Sequence, residues 1–145
     1  MPGIVALIGR VYDEYGFVYE PRVEWPDLFE FDAHYAPPRG AFFVVRAGDT
    51  IVGSAGVERL DERSAELHRL YLDADQRGRG TGRALIEAAL AWCRERGIAE
   101  LILWSDTRFD LAHRLYTRMG FALTDERTLP DDANDSREYR FERPV

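Results

Sequence analysis

Asp73-Ala74-Asp75-Gln76-Arg77-Gly78-Arg79-Gly80-Thr81-Gly82-Arg83 stands between two segments of different periodicity. Before it, residues 65–72 read as a β-strand. After it, Leu85, Ile86, Ala89, Leu90 and Cys93 recur at helical spacing, the helix runs on to Arg96, and Gly97 caps its end. A strand, a glycine loop and a helix in that order have a physical consequence. The first helical turn leaves backbone N–H groups unpaired at the positive end of the helix dipole. Glycines let that backbone approach an anion with no Cβ in the way. Arg77, Arg79 and Arg83 add local positive charge. The segment is a candidate pyrophosphate cradle, with Arg77, Gly78, Arg79, Gly80, Thr81, Gly82 and Arg83 as its binding residues. The alternative is a glycine-rich turn with solvated arginines, which the strand before and the helix after disfavour.

Two common nucleotide loops do not fit. A Walker loop needs a lysine followed by serine or threonine, and this loop has no lysine. A dinucleotide fingerprint that uses Gly78 and Gly80 needs a third glycine at position 83, which is arginine.

Outward from the loop, the chain alternates short strands with helices. Ile4, Val5, Ile8, Val11, Tyr12 and Tyr15 predict an amphipathic helix over roughly residues 3–15, stopped by Gly16. Residues 27–35 predict a short second helix ended by Pro37 and Pro38. Residues 41–45 and 51–58 read as a hairpin around Ala47-Gly48-Asp49. After the central helix come a strand at 101–104, a helix at 108–119 capped by Gly120, a strand from Phe121, and a last strand at 137–142. The pattern is α+β, with hairpins early and a strand–helix–strand unit in the middle.

At 145 residues with 46% hydrophobic and 31% charged content, the chain suits one soluble domain, residues 1–145. No apolar run reaches the roughly 20 residues that span a bilayer, and no secretory signal is evident at the N-terminus, so the expected location is cytoplasmic. A net charge of −7 argues against a nucleic-acid surface and is compatible with a cationic substrate such as an amine. The single cysteine, Cys93, falls on an apolar helix face and reads as a buried, inert thiol.

Arg77-x-x-Gly80-x-Gly82, after Glu66-Leu67-His68-Arg69-Leu70-Tyr71-Leu72, resembles the coenzyme A signature of the GNAT superfamily of N-acetyltransferases. Leu115-Tyr116-x-x-x-Gly120-Phe121 resembles that family's later motif, and the order of elements matches over nearly the whole chain. The resemblance implies a mixed, mostly antiparallel twisted sheet with two splayed central parallel strands, flanked by about four helices. It implies acetyl-coenzyme A as acyl donor. Main-chain groups of Leu70, Tyr71 and Leu72 would receive the pantetheine arm, and the loop from Arg77 to Gly82 would hold the pyrophosphate. The family usually opens with a strand; here Met1-Pro2-Gly3 leads straight into the helix. That strand is expected to be absent or truncated, which leaves a sheet edge where a second copy could pair as a homodimer.

In the family the amine attacks the thioester directly, which suits a chain whose Ser105 and Ser136 have no evident histidine partner. Tyr116 is the expected acid for the leaving thiolate, and packing alone is its alternative. Glu66 lies eleven residues before Arg77, the offset of the general-base glutamate in histone-type members. It could equally be an exposed strand carboxylate or a holder of the substrate's cation. Asp106 is a competing carboxylate. His34 reads as a surface residue, His113 as a helix-face residue, and His68 as sharing a strand face with Glu66 and Leu70. No metal-ligand spacing occurs. Trp25, Trp92 and Trp104 read as core or pocket wall. The expected activity is acetyl transfer to a primary amine; the other reading is a non-catalytic acyl-coenzyme A sensor or interaction module. Acceptor specificity is expected around residues 16–40 and 124–137.

Overall fold

The computed structural model describes residues 2–145. The chain forms α1 (Pro2–Glu14), α2 (Pro21–Glu24), α3 (Pro26–Phe29), α4 (Phe31–Tyr35), β1 (Gly40–Ala47), β2 (Thr50–Arg59), β3 (Ser64–Leu72), α5 (Thr81–Glu95), β4 (Glu100–Asp106), α6 (Asp110–Arg118), β5 (Ala122–Thr128) and β6 (Arg137–Pro144). The six strands make one sheet in the order β1-β2-β3-β4-β6-β5. Only β3 and β4 run parallel; every other pairing is antiparallel. Among the described residues no strand precedes α1, and no helix is long and apolar enough to cross a membrane.

The helices divide between the two faces of the sheet. α5 and α6 bury Leu85, Ile86, Ala89 and Tyr116 against Ala55, Val57, Leu67, Leu101, Leu103 and Phe141. α1 and the short helices bury Ile4, Ile8, Trp25, Leu28 and Tyr35 on the other side, with Phe42 and Tyr71 packed against them. Strand alternation explains the division: Ala41, Phe43 and Val45 of β1 belong to the first cluster and Phe42 to the second. Cys93 is fully buried in the first cluster, and burial pushes its thiol up to about 11.

The segment expected to be one helix at 27–35 is instead two single turns, α3 and α4, and a third, α2, precedes them. Pro21 and Pro26 each open a turn at its first position, where a missing N–H does no harm, and each turn ends on a residue with non-helical backbone. These turns carry Trp25 and Leu28 into the core and bring Asp27 to the sheet.

Strand β3 contains the feature that shapes the site. Its register against β2 runs Gly53↔Leu72 and Ser54↔Tyr71, then resumes at Gly56↔His68. One extra residue on β3 makes a bulge, and Arg69 there has φ 53°, a left-handed conformation uncommon for a residue with a side chain. The Ser54 hydroxyl donates to the Arg69 carbonyl at 2.7 Å. Because facing alternates with period two, one inserted residue reverses it. Ala65 and Leu67 face α5, and after the bulge so do Leu70 and Leu72. Leu70 therefore does not share a face with Glu66 and His68, contrary to the simple alternation read from the sequence.

Candidate active site

The parallel pairing of β3 and β4 covers only Ser64↔Glu100, Ala65↔Leu101 and Glu66↔Ile102. Beyond it, β4 continues with β6 through Asp106, while the β4-facing edge of β3 has no partner strand. The two strands part, and a cavity of about 730 Å³ opens between them. Glu66, Leu70, Tyr71, Leu72, Arg77, Gly78, Gly80, Gly82, Arg83 and Tyr116 all line it. Of the residues singled out in the sequence, Arg79 and Thr81 lie outside the lining; Arg79 is exposed beyond it. An unpaired strand edge offers N–H and C=O groups to any extended amide chain laid along it.

At one end of the cavity the glycine loop leads into α5. Gly80 is the N-cap, with φ 80° and no side-chain cap, and the first turn of α5 holds no acidic residue. The first hydrogen bond of the helix runs from the Ala84 N–H to the Gly80 carbonyl at 3.0 Å, which leaves the preceding N–H groups without helical partners. Gly78, φ 75°, and Gly80 both have open space where a Cβ would stand. An uncapped, acid-free helix start bordered by bare glycines fits an anionic diphosphate.

Two expected cradle residues do something else. Arg77 forms an ion pair with Glu14 of α1 and donates to the Leu72 carbonyl at 3.0 Å, so its guanidinium staples α1 to the loop. Arg10 adds a second staple, to Asp73 at 2.9 Å. Gly82 is a packing glycine: a Cβ there would lie 2.9 Å from Leu115 and 3.3 Å from Leu72. Its lack of a side chain lets α5 approach α6 and the floor of the cavity.

Tyr116 reaches the cavity from α6 and is 4% exposed. Burial raises its pKa well above the usual phenol value, with a hydrogen bond from Ser105 opposing. Ser105, on β4, was expected to lack a histidine partner. The structure places His113 Nε2 3.0 Å from Ser105 Oγ. The pairing arises because α6 begins four residues after β4 and folds back over its end. Burial lowers the pKa of His113 despite nearby Asp110 and Asp106. The sequence signal for the pair was weak: Ser105 is the last inward position of β4, and His113 lies one turn before Tyr116.

The carboxylates are not equivalent. Asp106 is held by Arg108, with Nε at 2.8 Å and an NH₂ group at 2.7 Å. Burial would raise its pKa, but the Arg108 bonds outweigh burial and lower it, so Asp106 is a weak proton acceptor. Among the described residues, Glu66 has no arginine partner; its Oε2 lies 3.1 Å from His68 Nε2. Both side chains line the cavity and are 22% exposed. His68 Nδ1 meets the Tyr35 hydroxyl at 3.2 Å. Tyr35 donates to Asp27 at 2.5 Å, and Asp27 also binds Arg69 of the bulge. His34, expected at the surface, is half-buried against Glu58 at 3.1 Å. Sequence spacing gave no sign of this network, since it joins α3, α4, β2 and β3.

The far end of the cavity is closed by contacts among three segments. Asn134 exchanges two hydrogen bonds with the Val18 backbone, at 2.9 and 2.8 Å. Arg108 donates to the Asn134 carbonyl and the Ser136 hydroxyl, and lies 4.2 Å over the Phe17 ring. Trp104 lines the cavity wall, while Trp25 and Trp92 are core residues. Among the described residues, no group of three or more His, Cys, Asp or Glu gathers as metal ligands.

The acetyltransferase (GNAT) family model matches residues 8–121. An uncharacterized N-acetyltransferase of Mycobacterium bovis is 31% identical over 115 residues, covering 79% of this chain and 74% of that protein. Human N-acetyltransferase 8 is 31% identical over 104 residues, covering 68% of this chain and 46% of that protein. The chain spans about half the length of the human and rat relatives it matches. Among solved structures, an acetyltransferase from Streptococcus agalactiae superposes with a TM-score of 0.84 at 20% identity, covering 99% of this chain and 90% of that one, a likeness of fold.

Proposed function

The chain belongs to the acetyltransferase (GNAT) family, and from that premise we propose that it moves an acetyl group from acetyl-coenzyme A to a primary amine by direct attack in a ternary complex. One observation carries the proposal: a single cavity joins an uncapped helix start, an unpaired strand edge, a buried tyrosine and a carboxylate free of arginine.

Each part has a task. The unpaired N–H groups at the start of α5, with Gly78 and Gly80, bind the diphosphate of the donor, and Arg83 and Arg79 add positive charge at its rim. Leu70, Tyr71 and Leu72 offer main-chain groups to the pantetheine amides; the Leu72 carbonyl is already fixed by Arg77. Tyr116 donates its proton to the departing thiolate. Burial keeps the phenol protonated, so its proton is in place as the sulfur leaves. Glu66 takes a proton from the incoming ammonium.

Charge at the acceptor end favours an amine. The arginines there are already paired: Arg69 with Asp27, Arg108 with Asp106, and Arg127 with Glu138. Glu24, Glu66 and Asp132 line the same cavity. Burial and the charge of Asp132 raise the pKa of Glu24. A site with this balance attracts cations and repels anions.

The test is to incubate the protein with acetyl-coenzyme A and a panel of primary amines, and to follow thiol release and acetylated product by mass spectrometry. Amine-dependent release is the expected result. Tight donor binding with no product from any amine class would instead support a binding module.

A further inference from the structure

Glu66 and His68 share more than a strand face. The Tyr35 hydroxyl proton is committed to Asp27, at 2.5 Å. Burial, with the charge of Asp27, raises the Tyr35 pKa far above the phenol range, so the hydroxyl stays protonated and keeps donating. Its oxygen can then only accept from His68 Nδ1, 3.2 Å away. Hydrogen-bond logic thus places a proton on Nδ1 in every state of the ring while this contact holds. In the neutral ring, Nε2 is bare. It faces a Glu66 carboxylate oxygen at 3.1 Å, an arrangement that is repulsive until a proton lies between them.

We propose that Glu66 and His68 together form the proton sink for the substrate ammonium. The proposal rests on the transfer reading above and names its acceptor-side machinery. Glu66 removes the proton from the ammonium and so frees the nitrogen lone pair for attack. Neutral His68 takes the proton on Nε2, which leaves a carboxylate beside an imidazolium. The Nδ1–H stays on the Tyr35 oxygen, and Glu58 Oε1, 3.8 Å from Nδ1, sets a second negative charge beside the imidazolium. The proton leaves Nε2 by the side on which it arrived, since the Glu66 and His68 side chains line the cavity and are 22% exposed. Every charged or titratable group facing His68 belongs to this network: Glu66 on β3, Glu58 on β2, Tyr35 on α4, with Asp27 and Arg69 behind Tyr35 and Arg39 on Glu58.

The experiment measures kcat/KM for the amine against pH in the wild-type chain, Glu66→Gln, His68→Gln and the double variant. In addition, ¹⁵N shifts of His68 are recorded. Each single variant is expected to lose about 10²-fold or more, as for loss of a general base, at pH values where the amine is charged. Activity should recover where the amine is already neutral, with KM for acetyl-coenzyme A unchanged. The double variant should be no worse than the poorer single one, because the two residues act as one unit. The ¹⁵N shifts should report a protonated Nδ1 throughout. A His68→Gln profile parallel to wild type, additive losses in the double variant, or a bare Nδ1 would each overturn the proposal. A wild-type chain that acetylates no amine would overturn the transfer reading itself, an outcome distinct from all of these.

Discussion

Tyr116→Phe keeps the packing and removes the hydroxyl, and with it the proton and the Ser105 contact. Turnover should fall by about 10²–10⁴-fold with donor affinity unchanged; a loss under about threefold would make the residue structural. Burial raises its pKa, so the phenol keeps its proton as pH rises, and no loss of activity from Tyr116 ionisation is expected up to about pH 10. The two glycines of the signature should behave differently. Gly80→Val places a side chain in open space beside the helix start, in a left-handed conformation, and should abolish donor binding by calorimetry while the core stays intact. Gly82→Val drives a Cβ into Leu115 and Leu72, which should cost about 1–3 kcal/mol of stability in a denaturant titration as well. That Glu66, Tyr116 and the glycines line one cavity was legible because motif spacing along one strand or helix survives in the sequence. The commitment of Arg77 to Glu14 was not, since its partner lies on α1, 63 residues away. Nor was the Ser105–His113 contact, which depends on how α6 folds back over β4.

At the scale of elements, the bulge in β3 governs the site, and the Arg69–Asp27 pair governs the bulge. Arg69 side-chain bonds reach Asp27 at 3.2 Å through Nε and at 2.5 Å through an NH₂ group. Burial would raise the Asp27 pKa, but bonds from Arg69 and Tyr35 outweigh burial and lower it. A depressed carboxylate pKa means stability that is present above the unfolded value, about 3.9, and lost as pH falls through the folded value. Asp27→Ala leaves Arg69 buried without its counter-charge and should lower stability by about 3–5 kcal/mol, read from thermal or denaturant unfolding. An unfolding midpoint equal to that of wild type would show that the bulge holds itself. Element order and the single parallel pair were readable from periodicity and from the strand–loop–helix unit. The bulge was not, because an inserted residue leaves the apolar pattern of 65–72 looking like an ordinary strand. The turns α3 and α4 were blurred into one helix over 27–35, and α2 was missed, because prolines at first helical positions start turns as readily as they end them.

For the molecule as a whole, the cavity lies between the two halves of the sheet, with α5 and α6 on one side and α1 clamped to the loop by Arg10 and Arg77. A donor seated there would tie these parts together. Acetyl-coenzyme A at about 100 times its Kd should stabilise the fold by about 2.7 kcal/mol, seen as a rise in Tm, and free adenosine should not reproduce the effect. The Ser105–His113 pair gives direct attack a concrete competitor at this scale, since a serine beside a neutral histidine can form an acyl-enzyme. The deciding measurement is the initial rate of acetyl transfer with acetyl-coenzyme A and an amine acceptor varied together. Direct attack in a ternary complex predicts reciprocal plots that intersect and a Ser105→Ala variant that still transfers. Parallel lines, with an acetyl group trapped on Ser105 in the absence of amine, would contradict it.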